Sequence, residues 1–343
     1  MAGIEESFDD CGGMLQSDDV RTGFVSGATF RNQAVQYSVV DDLAVFEGCI
    51  VLGRADEMDE IARNVQSPKS GDDDGEIAHG VGITGSQYRW PGGLMPYEID
   101  PALPNQGRVT DAISHWTQNT SMRFVARTAA NAGSYPNYVR FRPANGCWSH
   151  VGMRGGMQEI GLANGCGTGA TIHEIGHAFG LWHEQSREDR DRFVKINWQN
   201  IQAGREHNFN QHISDGDDIG AYDYASIMHY PTWAFSKNGQ PTIETIPPGT
   251  PIGQRNVLSA GDIAAIHSMY QLWHYNVSVT RAYATHHSKN VWALFGGLGW
   301  RRIKADAADG DTNTFMACCT AVANQRKMHV LVDGTTVYRV QLV

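Results

Sequence analysis

The residues His173–Asp189, HEIGHAFGLWHEQSRED, decide how this chain is read. The first five form H-E-x-x-H. On a helix, positions i and i+4 share a face, so His173 and His177 can reach one metal ion. Glu174 stands beside them, placed to act on a water without ligating the ion itself. The stretch GATIHEIGHAFG reads as a helix closed by Gly180, which can take the positive φ that ends it. The chain then turns and brings in His183 as a third ligand. An isolated H-E-x-x-H arises by chance; the continuation to His183 removes the reading of unrelated histidines. Three neutral nitrogens leave a fourth position open, as a catalytic rather than a structural site requires. With no thiolate among these three donors, a single zinc ion is the expected cofactor, and Glu174 is the expected general base.

The extended motif resembles that of the astacin family of metzincin zinc endopeptidases, with Glu184, Arg187 and Asp189 at the family's positions after the third histidine. Further on, Ser226-Ile227-Met228-His229-Tyr230 is similar to the family's Met-turn. The resemblance implies that Met228 forms an apolar floor beneath the metal. It implies that Tyr230 is a labile extra ligand that swings to stabilise an oxyanion. It also implies that Glu184 receives the amino group of a new N-terminus near Val81. The likeness runs from about Gly85 to Tyr270. Tyr88-Arg89-Trp90-Pro91-Gly92-Gly93 and Pro96-Tyr97 resemble the start of a mature enzyme. Gly146-Cys147-Trp148-Ser149 with Gly165-Cys166 implies a Cys147–Cys166 disulfide. The family's second disulfide has no counterpart around Tyr270, so packing or the residues that follow must hold that end. Residues Arg154–Glu159 stand where the family has an upper-rim strand that pairs with an extended peptide substrate.

The implied fold is α+β. It is a metzincin-like catalytic domain with a twisted mixed sheet, a zinc helix and a Met-turn, split by a cleft. The residues themselves agree: LMPYEID and NYVRFRP read as strands, and residues 107–125 carry Val109, Ile113 and Trp116 at helical spacing. Residues 259–270 read as a helix capped by Ser259, without regular βαβ alternation.

Charge divides the 343 residues. Of the net −10, the first 80 residues carry 17 acidic against 5 basic side chains, whereas residues 277–343 carry 4 against 8. Nothing resembles a basic nucleic-acid surface, and no apolar run is long enough for a membrane span. The N-terminus MAGIEESFDD lacks the apolar core of a signal peptide, so a leader has been removed or export takes another route. The linker SPKSGDDDGE (67–76) reads as exposed and cleavable. Three domains follow: 1–80 an inhibitory pro-segment, 81–275 the peptidase domain, and 276–343 a small all-β domain built on VWALF, GWRRI, MHVLV and VYRVQL.

The family's pro-segment has an F-x-G-D element whose aspartate fills the open zinc position. Here Phe46-Glu47-Gly48-Cys49-Ile50 keeps the frame but substitutes cysteine. A thiolate is a strong zinc ligand, so Cys49 is expected to ligate the ion in the latent form, making the pro-segment an intramolecular inhibitor. Pairing of Cys49 with Cys11, or a buried thiol, is the alternative. Cleavage between about Gly75 and Val81 would release the site. Cys318-Cys319 form either a vicinal disulfide or two thiols. Trp292, Trp300 and Arg301-Arg302 form either a binding face or ordinary core. A disulfide with a zymogen design points to a secreted protein. Against the endopeptidase stands a binding protein that keeps a metal site without catalysis; the presence of Glu174 and Tyr230 favours the enzyme.

Overall fold

The computed structural model describes residues 14–26, 32–66, 86–211, 218–270, 272–285, 290–304, 310–333 and 336–343. The linker 67–76, the cleavage region ending at Val81 and Cys11 lie outside the described residues. The chain divides by packing into two units, Met1–Ala265 and Ile266–Val343.

The first unit opens with an antiparallel meander of β1 (Val20–Val25), β2 (Gln33–Val40), β3 (Leu43–Phe46) and β4 (Ile50–Arg54). Asp41 and Asp42, both at positive φ, make the two-residue turn between β2 and β3, as tight hairpins require. The acidic first turn of α1 (Ala55–Gln66) suits the positive end of a helix dipole. Its Met58 packs into an apolar cluster with Val25, Tyr37, Phe46 and Ile50.

Next come β5 (Leu94–Ile99), α2 (Gly107–Asn119), β6 (Arg123–Ala126), β7 (Tyr138–Pro143), β8 (Trp148–Ser149), β9 (Met157–Leu162) and α3 (Thr168–Ala178). Residues 107–125 are therefore not one helix. Thr120 is extended, and Arg123–Ala126 pair with β5 as a strand. The strands of both stretches join one nine-stranded sheet, ordered β1-β2-β3-β4-β8-β9-β7-β5-β6. The junction is short: β4 meets β8 in parallel at Ile50 and Ser149, and the Ser149 N–H donates to the Cys49 carbonyl at 3.0 Å. The N-terminal segment thus extends the sheet of the segment that follows it. This also corrects the assignment of Arg154–Glu159 as an open rim, because β9 is flanked by β8 and β7. The edge that receives another strand is β8.

The α2 helix buries Val109, Ala112 and Trp116 on one face, and the Trp116 indole donates to the Ile172 carbonyl of α3. A ribbon of β10 (Val194–Ile196) and β11 (Ile243–Thr245) and the helix α4 (Ala260–Met269) follow. Ser259 caps α4 as expected, reciprocally with Asp262: each accepts from the other's backbone N–H, at 2.9 and 2.8 Å.

The second unit is a closed barrel of β12 (Leu272–Ala284), β13 (Val291–Phe295), β14 (Gly299–Ile303), β15 (Lys327–Asp333) and β16 (Thr336–Leu342). It is not all-β. The helix α5 (Gly310–Ala323) lies between β14 and β15 in sequence. Its Cys318 and Ala321, three residues apart, enter the core with Phe295, Ile303 and Val337, while Phe315 packs against it. That helical spacing is hidden in a run of small residues, which strand-seeking patterns overlook. Cys318 and Cys319 carry thiols, not a disulfide. The strand order β12-β13-β14-β16-β15, with β14 and β16 the parallel pair, is that of an OB-fold.

Candidate metal centre

The helix α3 carries His173, Glu174 and His177, and all three are buried. It ends as the sequence requires. The Gly180 N–H donates to the His177 carbonyl at 2.7 Å and the Leu181 N–H to Gly176 at 3.0 Å, a Schellman closure with Gly180 at φ +105°. The Trp90 indole satisfies the Ala178 carbonyl at 2.8 Å. The chain reverses through this turn and returns His183 to the face that holds the other two imidazoles. Gly176 has its own reason: a Cβ there would stand 2.8 Å from the Met228 sulfur, so the Met-turn lies directly against the helix.

Each histidine is oriented by its second nitrogen. Nδ1–H of His173 donates to the Ile227 carbonyl at 2.8 Å, that of His177 to Leu181 at 2.8 Å, and that of His183 to the Glu47 carboxylate at 2.7 Å. These bonds leave every Nε2 as a bare acceptor turned inward. Burial also holds His173 and His177 well below the ordinary imidazole range, so both stay neutral. His173 and His177 then face each other with their Nε2 atoms 3.1 Å apart, an arrangement that calls for a cation between them.

Cys49 completes the set. Its sulfur lies 3.6, 3.4 and 3.3 Å from Nε2 of His173, His177 and His183. All four donor atoms lie within 4.8 Å of one another. A tetrahedral zinc with ordinary bond lengths puts nitrogens about 3.4 Å apart and sulfur about 3.6 Å from each nitrogen. The residues present therefore fit one zinc ion.

Cys49 and Glu47 arrive together on the three-residue tip of the β3–β4 hairpin, between the paired Phe46 and Ile50. Glu47 is fully buried, at φ +46°. Its carboxylate accepts from His183 and from the Ser186 hydroxyl, and its carbonyl accepts from the Tyr230 hydroxyl at 2.8 Å. Tyr230 is thus held by the hairpin tip, its ring 4.7 Å from that of His183. The expected cleft is closed over these groups: the histidines, Glu174 and Tyr230 are all buried.

Glu174 is 2% exposed, and its Oε2 has no hydrogen-bond partner among the described residues. Burial pushes its pKa well above the carboxylate range, against the opposing charge of Arg255. It borders a small cavity with Met14, Cys49, Cys147, Ala170 and Arg255. Arg255 braces the Met-turn by donating to the Ile227 and His229 carbonyls at 2.7 and 3.0 Å. Asp262 fixes the same turn, accepting from the Ser226 hydroxyl at 2.6 Å and the Ile227 N–H at 3.0 Å. That anchorage binds the start of α4 without a second disulfide. Glu184 accepts from the Asp223 N–H at 2.7 Å, and burial raises its pKa to about 8. Cys147 and Cys166 form the expected disulfide.

His173, Glu174, His177, His183, Cys49 and Tyr230 thus come together in one buried region, with Met228 packed against α3 at Gly176. Cys147 borders the same small cavity as Glu174, and Glu184 is turned to the Asp223 N–H. Glu47, Ser186, Arg255 and Asp262 escaped sequence reading, because ordinary acids, arginines and serines acquire these roles only when distant loops meet.

Comparison with known proteins covers the segment that carries the three histidines. The family profile of the astacin peptidases matches residues 82–271, more than half of the chain. Protein SpAN of Strongylocentrotus purpuratus is 42% identical over 192 residues, covering 53% of this chain and 31% of that protein. Zinc metalloproteinase nas-13 of Caenorhabditis elegans is 41% identical over 187 residues, covering 53% and 41%. The chain therefore spans well under half the length of these relatives. Among solved structures, high choriolytic enzyme 1, a hatching enzyme zinc-protease of Oryzias latipes, superposes with a TM-score of 0.49 at 36% identity, over 54% of this chain and 93% of that one. On the family match and the three-histidine centre that falls inside it, the chain belongs to the astacin family of zinc peptidases.

Proposed function

We propose that this chain is a latent zinc endopeptidase, held inactive by its own N-terminal segment through a cysteine ligand to the metal. The observation that carries the reading is the Cys49 sulfur at 3.3–3.6 Å from all three histidine Nε2 atoms. Zinc bound there would polarise a peptide carbonyl and acidify a water. Removal of residues 46–50 would free that fourth position and the Tyr230 hydroxyl together. Glu174 then takes the proton of the attacking water and returns it to the leaving amine. Its buried Oε2, without a hydrogen-bond partner among the described residues, is available for that exchange once the segment leaves and water relieves the burial that raises its pKa. Tyr230, released from the Glu47 carbonyl, donates to the developing oxyanion. Residues 49–50 lie along β8, the edge on which an extended peptide would pair once they leave. The disulfide fits an oxidising, extracellular compartment. Among the described residues no helix is long and apolar enough to cross a membrane.

X-ray absorption at the zinc edge of the intact chain tests latency: one sulfur at about 2.3 Å is expected, lost in Cys49→Ala. A shell of nitrogen and oxygen alone in the intact chain would refute the ligand. Casein hydrolysis by the chain trimmed after the linker tests the enzyme itself, with loss expected in Glu174→Ala and on chelation.

A further inference from the structure

The barrel of the second unit carries no part of the chemistry above, and its outer surface has a pattern of its own. The fold alone names no ligand; the side chains of its first three strands do. Ala293 and Phe295 of β13 and Ile303 of β14 point into the core. Strand alternation therefore turns Trp292, Leu294, Trp300 and Arg302 outward. The registers set them in two rows: Tyr283, Trp292 and Arg302 across β12, β13 and β14, then Arg281, Leu294 and Trp300 beside them. Tyr283 is 51% and Trp300 42% exposed, large aromatic areas to leave in water. The sequences of these three strands contain no aspartate or glutamate.

We propose that this face binds an acidic polysaccharide, with Tyr283, Trp292 and Trp300 stacking on sugar rings and Arg281 and Arg302 pairing with carboxylate or sulfate groups. Aromatic rings offer sugar C–H faces a flat apolar surface. Guanidinium groups offer planar oxyanions a matched fork of donors. In OB-folds the second and third strands are the usual ligand face for oligosaccharides and oligonucleotides. Two features favour the sugar polymer. The arginines sit at diagonal corners of the patch, about 12 Å apart by strand spacing, which suits a polymer charged on alternate units better than one charged on each. Residues 277–343 also carry only 8 basic against 4 acidic side chains, a mild excess that suits a sparsely charged polymer better than a dense polyanion. The proposal does not depend on the peptidase reading.

The test titrates the full chain with three probes: hyaluronan (uronate on alternate sugars), neutral dextran and single-stranded oligo-dT. Hyaluronan is expected to bind, at least tenfold more weakly in Trp300→Ala and in Arg302→Gln and unchanged in the charge-matched control Arg326→Gln. Arg281→Gln supplies a second exposed variant should Trp300→Ala unfold. Equal weakening in Arg326→Gln would mean diffuse charge alone. Equal binding of dextran would remove the arginines from recognition, and tighter oligo-dT binding would make the ligand a nucleic acid. Any of these, or no binding to hyaluronan, overturns the proposal.

Discussion

In the proposed latent form, Cys49 and Glu47 divide the work of closure between them, one on the metal position and one on its surroundings. Cys49→Ala removes the fourth donor yet leaves the Glu47 carboxylate on His183 and its carbonyl on Tyr230. Partial rather than complete loss of latency is the expectation, read as slow autolysis by intact mass. Glu47→Ala removes a charged acceptor from two buried donors. Hydrogen bonds to charged groups are worth about 1.5–3 kcal/mol each, so the closed form should lose roughly tenfold or more in population. Hydrolysis of a quenched peptide by the uncleaved chain measures it, and an unchanged rate would make Glu47 a bystander. In the trimmed enzyme, Glu174→Gln keeps the shape and loses the base. A fall of about 10²–10⁴-fold in kcat, with KM little altered, is expected of a general acid–base.

At the scale of elements, α3 works because of how it stops. Gly180 at φ +105° turns the chain back, and an L side chain there is strained by roughly 1–2 kcal/mol. Gly180→Ala should lower the melting temperature and also weaken zinc binding, because His183 leaves through that turn. Equilibrium dialysis against a competing chelator separates the two effects. The start of α4 is the other stress point. Asp262 accepts from Ser226 Oγ, Ile227 N and Ser259 N. Asp262→Ala leaves three buried donors without it, at about 1–3 kcal/mol for each group that stays unsatisfied. A destabilisation of several kcal/mol by urea unfolding is expected, larger than for an ordinary helix cap.

At the scale of the molecule, the N-terminal segment and the segment after it share the β4–β8 seam, where a half-buried histidine is expected to confer pH dependence. His150 bonds the Val51 carbonyl through Nδ1 at 2.8 Å. Burial, helped by the Arg154 charge, pushes its pKa down to about 3. In the folded chain His150 therefore stays neutral where the unfolded chain, near 6.5, takes a proton. The unfolded state binds more protons in that window, so this group's contribution is complete above about pH 6.5 and is lost as pH falls from there toward 3, at up to about 1.4 kcal/mol per pH unit. His150→Gln should flatten the acid limb of the melting-temperature profile. An identical limb would assign acid sensitivity to other groups.

The sequence by itself determined the metal. The spacing of His173, Glu174, His177, Gly180 and His183 is local, and helical periodicity plus one glycine converts it directly into geometry. The Met-turn and the Cys147–Cys166 pair were legible too, through likeness to a family with a recurrent pattern, and the same likeness singled out Cys49, whose sulfur lies beside the three histidines. What only the tertiary structure decided is everything that rests on segments meeting. Such meetings include the hairpin tip that carries Glu47 onto His183 and Tyr230, the placing of the open edge at β8 instead of β9, and the anchoring of the Met-turn by Asp262 and Arg255. The same holds for α5 in a barrel that reads as strands alone, since its small-residue stripe acquires meaning only against Phe295, Ile303 and Val337. Periodicity encodes which way a side chain faces along its own element. Which group waits on the other side depends on long-range packing, and no local pattern carries that.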